Sequence, residues 1–339
     1  MASHQWMKDI NENDRIRGLY LVRMKKQGVT RKGTPFLSLT LADKTGELEA
    51  KVWERADALS PIFKEGDILE VEGHASSYRN EIQLTLSNLR VPEQIDDRTL
   101  FLESTPRDIS EMMRAMNEAL NAIENRHLKG LVSRFLSDRP FLSRFKQAPA
   151  AKNFHHAYLG GLLEHTLSVC RMAQSVSEHY PNLDRDLLMA GAFLHDIGKI
   201  REFQFDRKID YSGEGRLLGH LMLGVAMLDE KLSGMKDFPQ ELALKLKHLI
   251  LSHHGEYDYG SPKRPKFLEA FALHLIDDLD AKMNGLARIM ERDRQEGGWT
   301  DFNRLFSRYL LKGGIENPTP KEKDLSPAEE DKQKVLFSM

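Results

Sequence analysis

Along residues 15 to 91 apolar and polar positions alternate, the two-residue period of strands covered on one face. The alternation runs over 15 to 24. It then gives way to a basic stretch with loop-like glycines, carrying Lys25, Lys26, Gly28, Arg31, Lys32 and Gly33. It resumes over 36 to 41, Asp43-Lys44-Thr45-Gly46 has turn chemistry, and 48 to 53 predicts a third strand. Residues 55 to 63 predict a short helix. Strands at 67 to 75 and 82 to 89 follow, joined by a turn near Tyr78-Arg79-Asn80. Five strands with a short helix between the third and fourth is the order of an OB-fold β-barrel, so residues 1 to 92 are expected to form one.

Beyond the barrel the period changes. Residues 93 to 106 read as a polar, acidic linker. At its end Thr105 is the expected N-cap of a helix, with Pro106 in the first turn and Asp108 favoured by the helix dipole. From there to residue 312 nearly every segment has the helical period. It marks one helix through Met112, Met116, Leu120 and Ile123, another from 131, and five more over 158–179, 184–195, 217–232, 239–253 and 265–292. Residues 107 to 312 are therefore expected to be all-α, and the whole chain a multi-domain α+β protein. Residues 313 to 339 mix Gly, Pro and charge, with few apolar groups before Val335-Leu336-Phe337, and predict a mobile charged tail. No internal repeat or coiled-coil heptad run is present.

Composition narrows the class. With 49 basic and 51 acidic residues the net charge is -2, so any nucleic-acid contact must come from a local patch. A single cysteine, Cys170, excludes an intrachain disulfide framework and a Cys-based zinc knuckle, and favours a reducing cytoplasm. The first residues, MASHQWMKDINENDR, lack a signal-peptide core, and no apolar run approaches the roughly 20 residues of a membrane span. A soluble cytoplasmic protein without a membrane partner is expected.

A barrel of this kind binds single strands through a basic groove and aromatic platforms. Arg15, Arg17, Arg23, Lys25, Lys26, Arg31 and Lys32 concentrate positive charge, and Tyr20, Phe36, Trp53 and Tyr78 are the available aromatics. Arg23, Lys25 and Phe36 are the candidate substrate contacts. The plainer expectation is that most of the aromatics fill the barrel core, and a solvated loop accounts for the basic cluster as well as a phosphate track does.

The strongest chemical signal is Phe193-Leu194-His195-Asp196-Ile197-Gly198-Lys199, where an adjacent His and Asp end an apolar helix. Imidazole nitrogen and carboxylate oxygen are both donors to first-row metals, and Gly198 is expected to supply the backbone freedom of the turn. Ten of the 13 histidines fall between His155 and His274. His165 lies mid-helix in GGLLEHT, His220 follows Gly219, His253 and His254 close another helix, and Asp277 lies in the last long helix beside the apolar stripe of Leu275, Ile276 and Leu279. A carboxylate on an apolar face is costly unless paired or bound to a cation.

This pattern of H, HD, H, HH and D resembles the HD-domain metallophosphohydrolase superfamily in its two-metal form. The motifs APAAKNFHH at 148–156, GGLLEHT at 160–166, HDIGK at 195–199, LLGH at 217–220, LSHHGE at 251–256 and EAFALHLIDDLDAK at 269–282, behind an OB-fold, resemble the YhaM-type 3′→5′ exoribonucleases. The resemblance implies an HD domain in the helical half. It implies one metal on His165, His195, Asp196 and Asp277, with Asp196 bridging to a second on His220 and His253. Asp278 is the alternative to Asp277, and His254 is a further ligand or a phosphate contact. It also implies two divalent transition-metal ions. Mixed imidazole and carboxylate donors suit manganese, iron, cobalt or zinc better than calcium or magnesium; Mn²⁺ is the expected ion, with Co²⁺, Fe²⁺ or Zn²⁺ as alternatives. Lys199 would face the scissile phosphate, unless it is a surface lysine capping the preceding helix, and Lys152, His155 and His156 would contact substrate. Glu164 is expected to face water rather than orient a ligand. The implied activity is 3′→5′ hydrolysis of single-stranded RNA, or single-stranded DNA, to nucleoside 5′-monophosphates by a homo-oligomer. The alternatives are a nucleotide or cyclic-nucleotide phosphohydrolase and a non-catalytic single-strand-binding protein.

Overall fold

The computed structural model describes residues 4–30, 32–78, 81–93, 100–206, 208–293 and 297–315. Arg31, the expected turn at 79–80, the centre of the expected linker (94–99) and the tail from 316 onward lie outside the described residues. Two compact units divide the chain: Met1–Ser104 with Phe205–Ile209, and Thr105–Gln204 with Asp210–Met339.

Strands β1 (Arg15–Val29), β2 (Pro35–Asp43), β3 (Gly46–Val52), β4 (Ile68–Tyr78) and β5 (Glu81–Arg90) build the first unit, with the short helix α1 (Ala56–Leu59) between β3 and β4. They close a barrel in the order β1-β2-β3-β5-β4. Inward-facing Tyr20, Val22, Leu37, Leu39, Leu41, Leu69, Val71 and Leu84 fill it. β1 continues through the basic stretch that looked like loop, pairing as far as Val29 with Pro35. Ladder hydrogen bonds are made by the backbone, so charged side chains do not end a strand.

Of the four candidate aromatics, Tyr20 alone is a core residue, its hydroxyl donating to the Gln5 carbonyl at 2.6 Å. Trp53 and Tyr78 are 44% and 57% exposed and Phe36 is half-buried, so the expectation that most of these aromatics fill the barrel core is corrected.

A bulge between Val22 and Met24 shifts the alternation of β1 by one residue. Lys26 and Gly28 therefore share the outer face with their partners Ser38 and Phe36. Lys25 is turned the other way, where its ammonium donates to the carbonyls of Ser60 (2.5 Å) and Phe63 (2.6 Å). Arg23, at the bulge, is exposed.

The second unit is helical. Its helices are α2 (Ile109–Asn121), α3 (Arg126–Leu136), α4 (Arg139–Phe145), α5 (Gly161–His179), α6 (Arg185–Leu194), α7 (Lys199–Glu202), α8 (Gly213–Leu232), α9 (Gln240–Ser252) and α10 (Leu268–Arg292). A short hairpin, β6 (Phe203–Gln204) with β7 (Asp210–Tyr211), separates α7 from α8. Asp108, Asn125, Asp138, Asp184 and Ser212 each cap a helix, their side-chain oxygens accepting first-turn amides. The expected cap at Thr105 is thus corrected to Asp108, which accepts from the Glu111 amide at 2.8 Å. Among the described residues, no helix is long and apolar enough to cross a membrane.

Buried Phe135, Phe141, Phe145 and Phe193 pack edge-on or stacked at centroid distances of 5.1 to 6.4 Å. This aromatic nucleus ties α3 and α4 to the end of α6, two residues before His195.

Candidate metal centre

The site is assembled where α5, α6, α8, α9 and α10 bring their imidazoles and carboxylates together. His165 projects from the second turn of α5, and His195 caps α6, its backbone amide bonded to the Gly191 carbonyl at 2.9 Å. His220 is presented by a break in α8 at Gly219, whose φ of 69° is left-handed and suits glycine. His253 and His254 follow the end of α9, and Asp277 lies on α10.

Gly198 plays a different part from the one the sequence suggested. Its φ and ψ of -61° and -23° are ordinary right-handed values. A Cβ there would stand 2.0 Å from the His220 carbonyl oxygen. The glycine is required for close approach of the His195-Asp196 turn to α8.

Each histidine has its outer nitrogen committed. His165 Nδ1 bonds Asp280 at 2.7 Å, His195 Nδ1 the Ala192 carbonyl at 2.9 Å, and His220 Nδ1 Glu202 at 3.0 Å. His253 Nδ1 meets the Ile250 carbonyl at 2.8 Å and His254 Nδ1 the Tyr259 carbonyl at 3.0 Å. In the neutral ring an acceptor at Nδ1 places the proton there and turns the lone pair of Nε2 inward. Those inner nitrogens crowd: His165 Nε2 is 3.1 Å from His195 Nε2, and His220 Nε2 is 3.2 Å from His254 Nε2.

Asp196 lies between the two crowds. Its Oδ2 is 3.5 and 3.4 Å from the Nε2 atoms of His165 and His195, and its Oδ1 is 3.6 and 3.5 Å from those of His220 and His253. Asp277 Oδ1 stands 3.0 and 3.6 Å from the first pair. Both Asp196 oxygens are buried without a hydrogen-bond partner, although Lys199 Nζ makes an ion-pair contact of 2.6 Å with Oδ2. Buried polar atoms are normally satisfied, so such orphans call for an ion. Donors on one transition metal at about 2.1 Å stand roughly 3.0 to 3.4 Å apart, and the spacings here, 3.0 to 3.6 Å, lie within or just beyond that range. Two sets therefore fit a divalent ion each: His165, His195, Asp196 and Asp277, and His220, His253 and His254 completed by the other oxygen of Asp196.

The electrostatics match this arrangement. Burial pulls the His165 imidazole down, but its hydrogen bonds to Asp196, Asp277 and Asp280 outweigh that and hold it well above the ordinary range. His195 is likewise lowered by burial and raised further by the charge of Asp196, ending at about 9. Burial pushes Asp196 up, and the charges of Lys199 and His195 bring it well below the usual carboxylate range. Burial and neighbouring cations push His254 and His155 well down, so both are neutral.

Other candidates fall in different places. Asp278 pairs with Lys282 at 2.7 Å instead of joining the ligands. Lys199 is buried, which removes its reading as a surface helix cap. A pocket over the ligands is lined by His155, Lys199, His254, Phe154, Tyr259 and Asp277, among others. The Nδ1 of His155 is buried there without a partner. His156, with a left-handed φ of 45°, bonds Tyr158 at 2.9 Å and Asp280 at 3.0 Å and so stands behind His165. Lys152 is held by Asp210 at 2.8 Å.

Glu164 does not face water as expected. It accepts from Thr105 at 2.6 Å and Tyr158 at 3.2 Å, joining the chain of contacts behind His156. Sequence reasoning missed Glu202 and Asp280 as partners of ligands. Asp280 had a legible signal, since it lies one helical turn from Asp277 and shares its face.

The fold and the site together define a class: a hydrolase with an HD domain behind an OB-type barrel. Family models agree, an HD domain matching residues 162–282 and an OB-fold nucleic acid binding domain matching residues 21–92. The 3′-5′ exoribonuclease YhaM of Bacillus subtilis is 39% identical over 277 residues, 80% of this chain and 86% of that protein. The YhaM of Oceanobacillus iheyensis is 37% identical over 295 residues, 86% of this chain and 90% of that one. The chain belongs to the YhaM 3′-5′ exoribonuclease family.

Proposed function

We propose that the chain degrades single-stranded RNA from its 3′ end with two divalent ions, releasing nucleoside 5′-monophosphates. One observation carries the reading: the two oxygens of Asp196 face two separate groups of inward imidazole nitrogens, the arrangement of a bridging carboxylate. When bound, such ions supply Lewis acidity to a phosphate oxygen and lower the pKa of a water molecule. The mixed donor set favours Mn²⁺ over Mg²⁺ or Ca²⁺.

The chain's own groups do the rest. Lys199, charged and buried beside Asp196, would offset charge on the phosphate oxygens in the transition state. His155 and His254 line the pocket as neutral rings able to hydrogen-bond the terminal nucleotide. In the barrel unit, the Phe36 and Trp53 rings lie 5.1 Å apart, with Lys51 Nζ 6.0 Å from the Phe36 centroid. Aromatic faces beside cations suit unpaired bases and their phosphates with little sequence preference, which extends the reading to single-stranded DNA. The lone Cys170 is buried, its thiol pushed up to about 12, as suits an unreactive cysteine in a reducing cytoplasm.

The test is a 5′-labelled single-stranded RNA incubated with metal-loaded protein and with Asp196→Ala. A ladder of shortening products that vanishes with chelator and with the variant, while RNA affinity survives, is expected. Activity persisting in full in the variant or after exhaustive chelation would overturn the mechanism. Turnover of free nucleotides without a ladder would favour a nucleotide phosphohydrolase instead.

A further inference from the structure

The pocket over the metal ligands has an aromatic group in its wall. Phe154, half-buried in the loop between α4 and α5, borders that pocket next to His155, the two rings 5.7 Å apart and nearly perpendicular. Two distant parts of the chain hold the Phe154 ring in place. On α10, Gly285 is buried within the helix, and a Cβ there would stand 2.1 Å from Cζ of Phe154. Glycine is among the poorest residues for a helix interior, so a buried one inside a long helix has a packing reason, and here the reason is the ring.

The second support is an arm at 299–311, in which Trp299 pairs with Leu311 and Asn303 with Arg308 in antiparallel bridges. At its tip the Asn303 side chain accepts from the Phe306 amide at 3.1 Å, and Ser307 takes a left-handed φ of 52°, uncommon for a residue other than glycine. The turn brings the Phe306 ring to 5.9 Å from that of Phe154, tilted by 51°. A ring fixed in this way loses little freedom when a flat ligand arrives. On the exonuclease reading above, we propose that Phe154 is the platform on which the base of the 3′-terminal nucleotide stacks, with Gly285 and Phe306 positioning it.

Chemistry selects the base. His253, Asp277 and Lys199 border the same pocket and suit the phosphate end of a nucleotide. A phenyl ring has no hydrogen bond to give ribose or phosphate, whereas every base has a π-face to lay on it. Tyr259, the other aromatic in the lining, sits on a single three-residue turn (Tyr257–Tyr259), while Phe154 is held by α10 and by the arm. The platform accepts all four bases, purines ahead of pyrimidines because their larger faces stack more strongly.

The experiment titrates the full-length, Mn²⁺-loaded protein with adenosine 5′-monophosphate and with ribose 5-phosphate, which differ only by the base, and follows binding by calorimetry. The wild type is expected to bind the nucleotide roughly 5- to 150-fold more tightly, the range that stacking on an aromatic side chain supplies. Phe154→Leu should lose most of that preference and leave the ribose 5-phosphate affinity where it was. Phe306→Leu should reduce the preference, since the platform then lacks its support. A ring with a merely structural role would weaken both ligands together. On RNA, Phe154→Leu should lower kcat/KM for an ordinary 3′ end and cost nothing further on an oligonucleotide whose last nucleotide lacks its base. Equal affinity of the wild type for the two ligands, or a folded Phe154→Leu that keeps its preference, overturns the proposal while the exonuclease reading stands on its ladder of products. Should Phe154→Leu not fold, an undiminished preference in Phe306→Leu overturns it. Absence of the ladder removes the exonuclease reading, and the platform with it.

Discussion

At Asp196 and the imidazoles around it, the protein concentrates more lone pairs than protons can balance. In the metal-free state the nearby carboxylates supply the remedy by holding protons on His165 and His195. The sign of the consequence follows. His195 titrates near 9 in the folded chain against an ordinary value of about 6.5. Its contribution to stability is complete below the ordinary value and is lost as pH rises through 9. The metal-free protein should therefore melt at lower temperature as pH goes from 7 to 9, while the Mn²⁺-loaded protein loses less, because the ion replaces the protons. Ion binding should also release protons at neutral pH and tighten as pH rises. Calorimetric titration in buffers of different ionisation enthalpy reads the proton count, and a count of zero would contradict this account. One carboxylate further out, Asp280→Asn keeps the volume but removes the charge that fixes the His165 tautomer. Loss of such a supporting group typically weakens metal affinity by about 10- to 100-fold. A metal titration followed by intrinsic fluorescence would show it, with the fold intact by circular dichroism.

The elements matter because they set how closely those residues approach. Gly198→Ala would drive a methyl into the His220 carbonyl. Overpacking of this kind costs about 1–3 kcal/mol, and here the strain falls on the segment holding His220. The variant should unfold at lower denaturant and bind the second ion more weakly, whereas alanine at the open Gly213 should do neither. The sequence grouped His195 with His220 through the joint pattern of H, HD, H, HH and D and the resemblance that pattern carries. It did not show why Gly198 is glycine, since a steric demand made by α8 leaves no trace in local pattern. The same limit explains Lys25. Alternation reads period two faithfully until a bulge shifts it, and the bulge at Val22 and Met24 moves the outward cation from Lys25 to Lys26. Helix existence was plain from apolar spacing, yet the first cap was misplaced by three residues. Thr105, Pro106 and Asp108 all carry start signals, and tertiary contact of Thr105 with Glu164 decided between them.

For the molecule as a whole, the question is what the barrel contributes to turnover by the helical unit. Its outer face sets Lys26 against Ser38, and Ser38 against Lys51, in the same face as Phe36 and Trp53. Lys51 is partly engaged, donating to Ser38 at 2.8 Å and lying 3.3 Å from Glu49, so Lys26 is the freer of the two cations. If these groups hold the upstream strand, each phosphate contact releases counterions, and the slope of log affinity against log salt should shrink by roughly 0.7 per lysine removed. Lys26→Ala/Lys51→Ala should therefore flatten the salt dependence of kcat/KM on long RNA. Phe36→Ala/Trp53→Ala should raise KM with the slope unchanged, since stacking contributes about 1–3 kcal/mol per base without ion release. On a di- or trinucleotide, which leaves no upstream strand to hold, neither pair should change kcat. The two pairs separate charge from stacking, and the short substrate separates both from chemistry. An unchanged salt slope in the lysine pair would remove the barrel's cations from substrate binding while leaving the metal centre untouched.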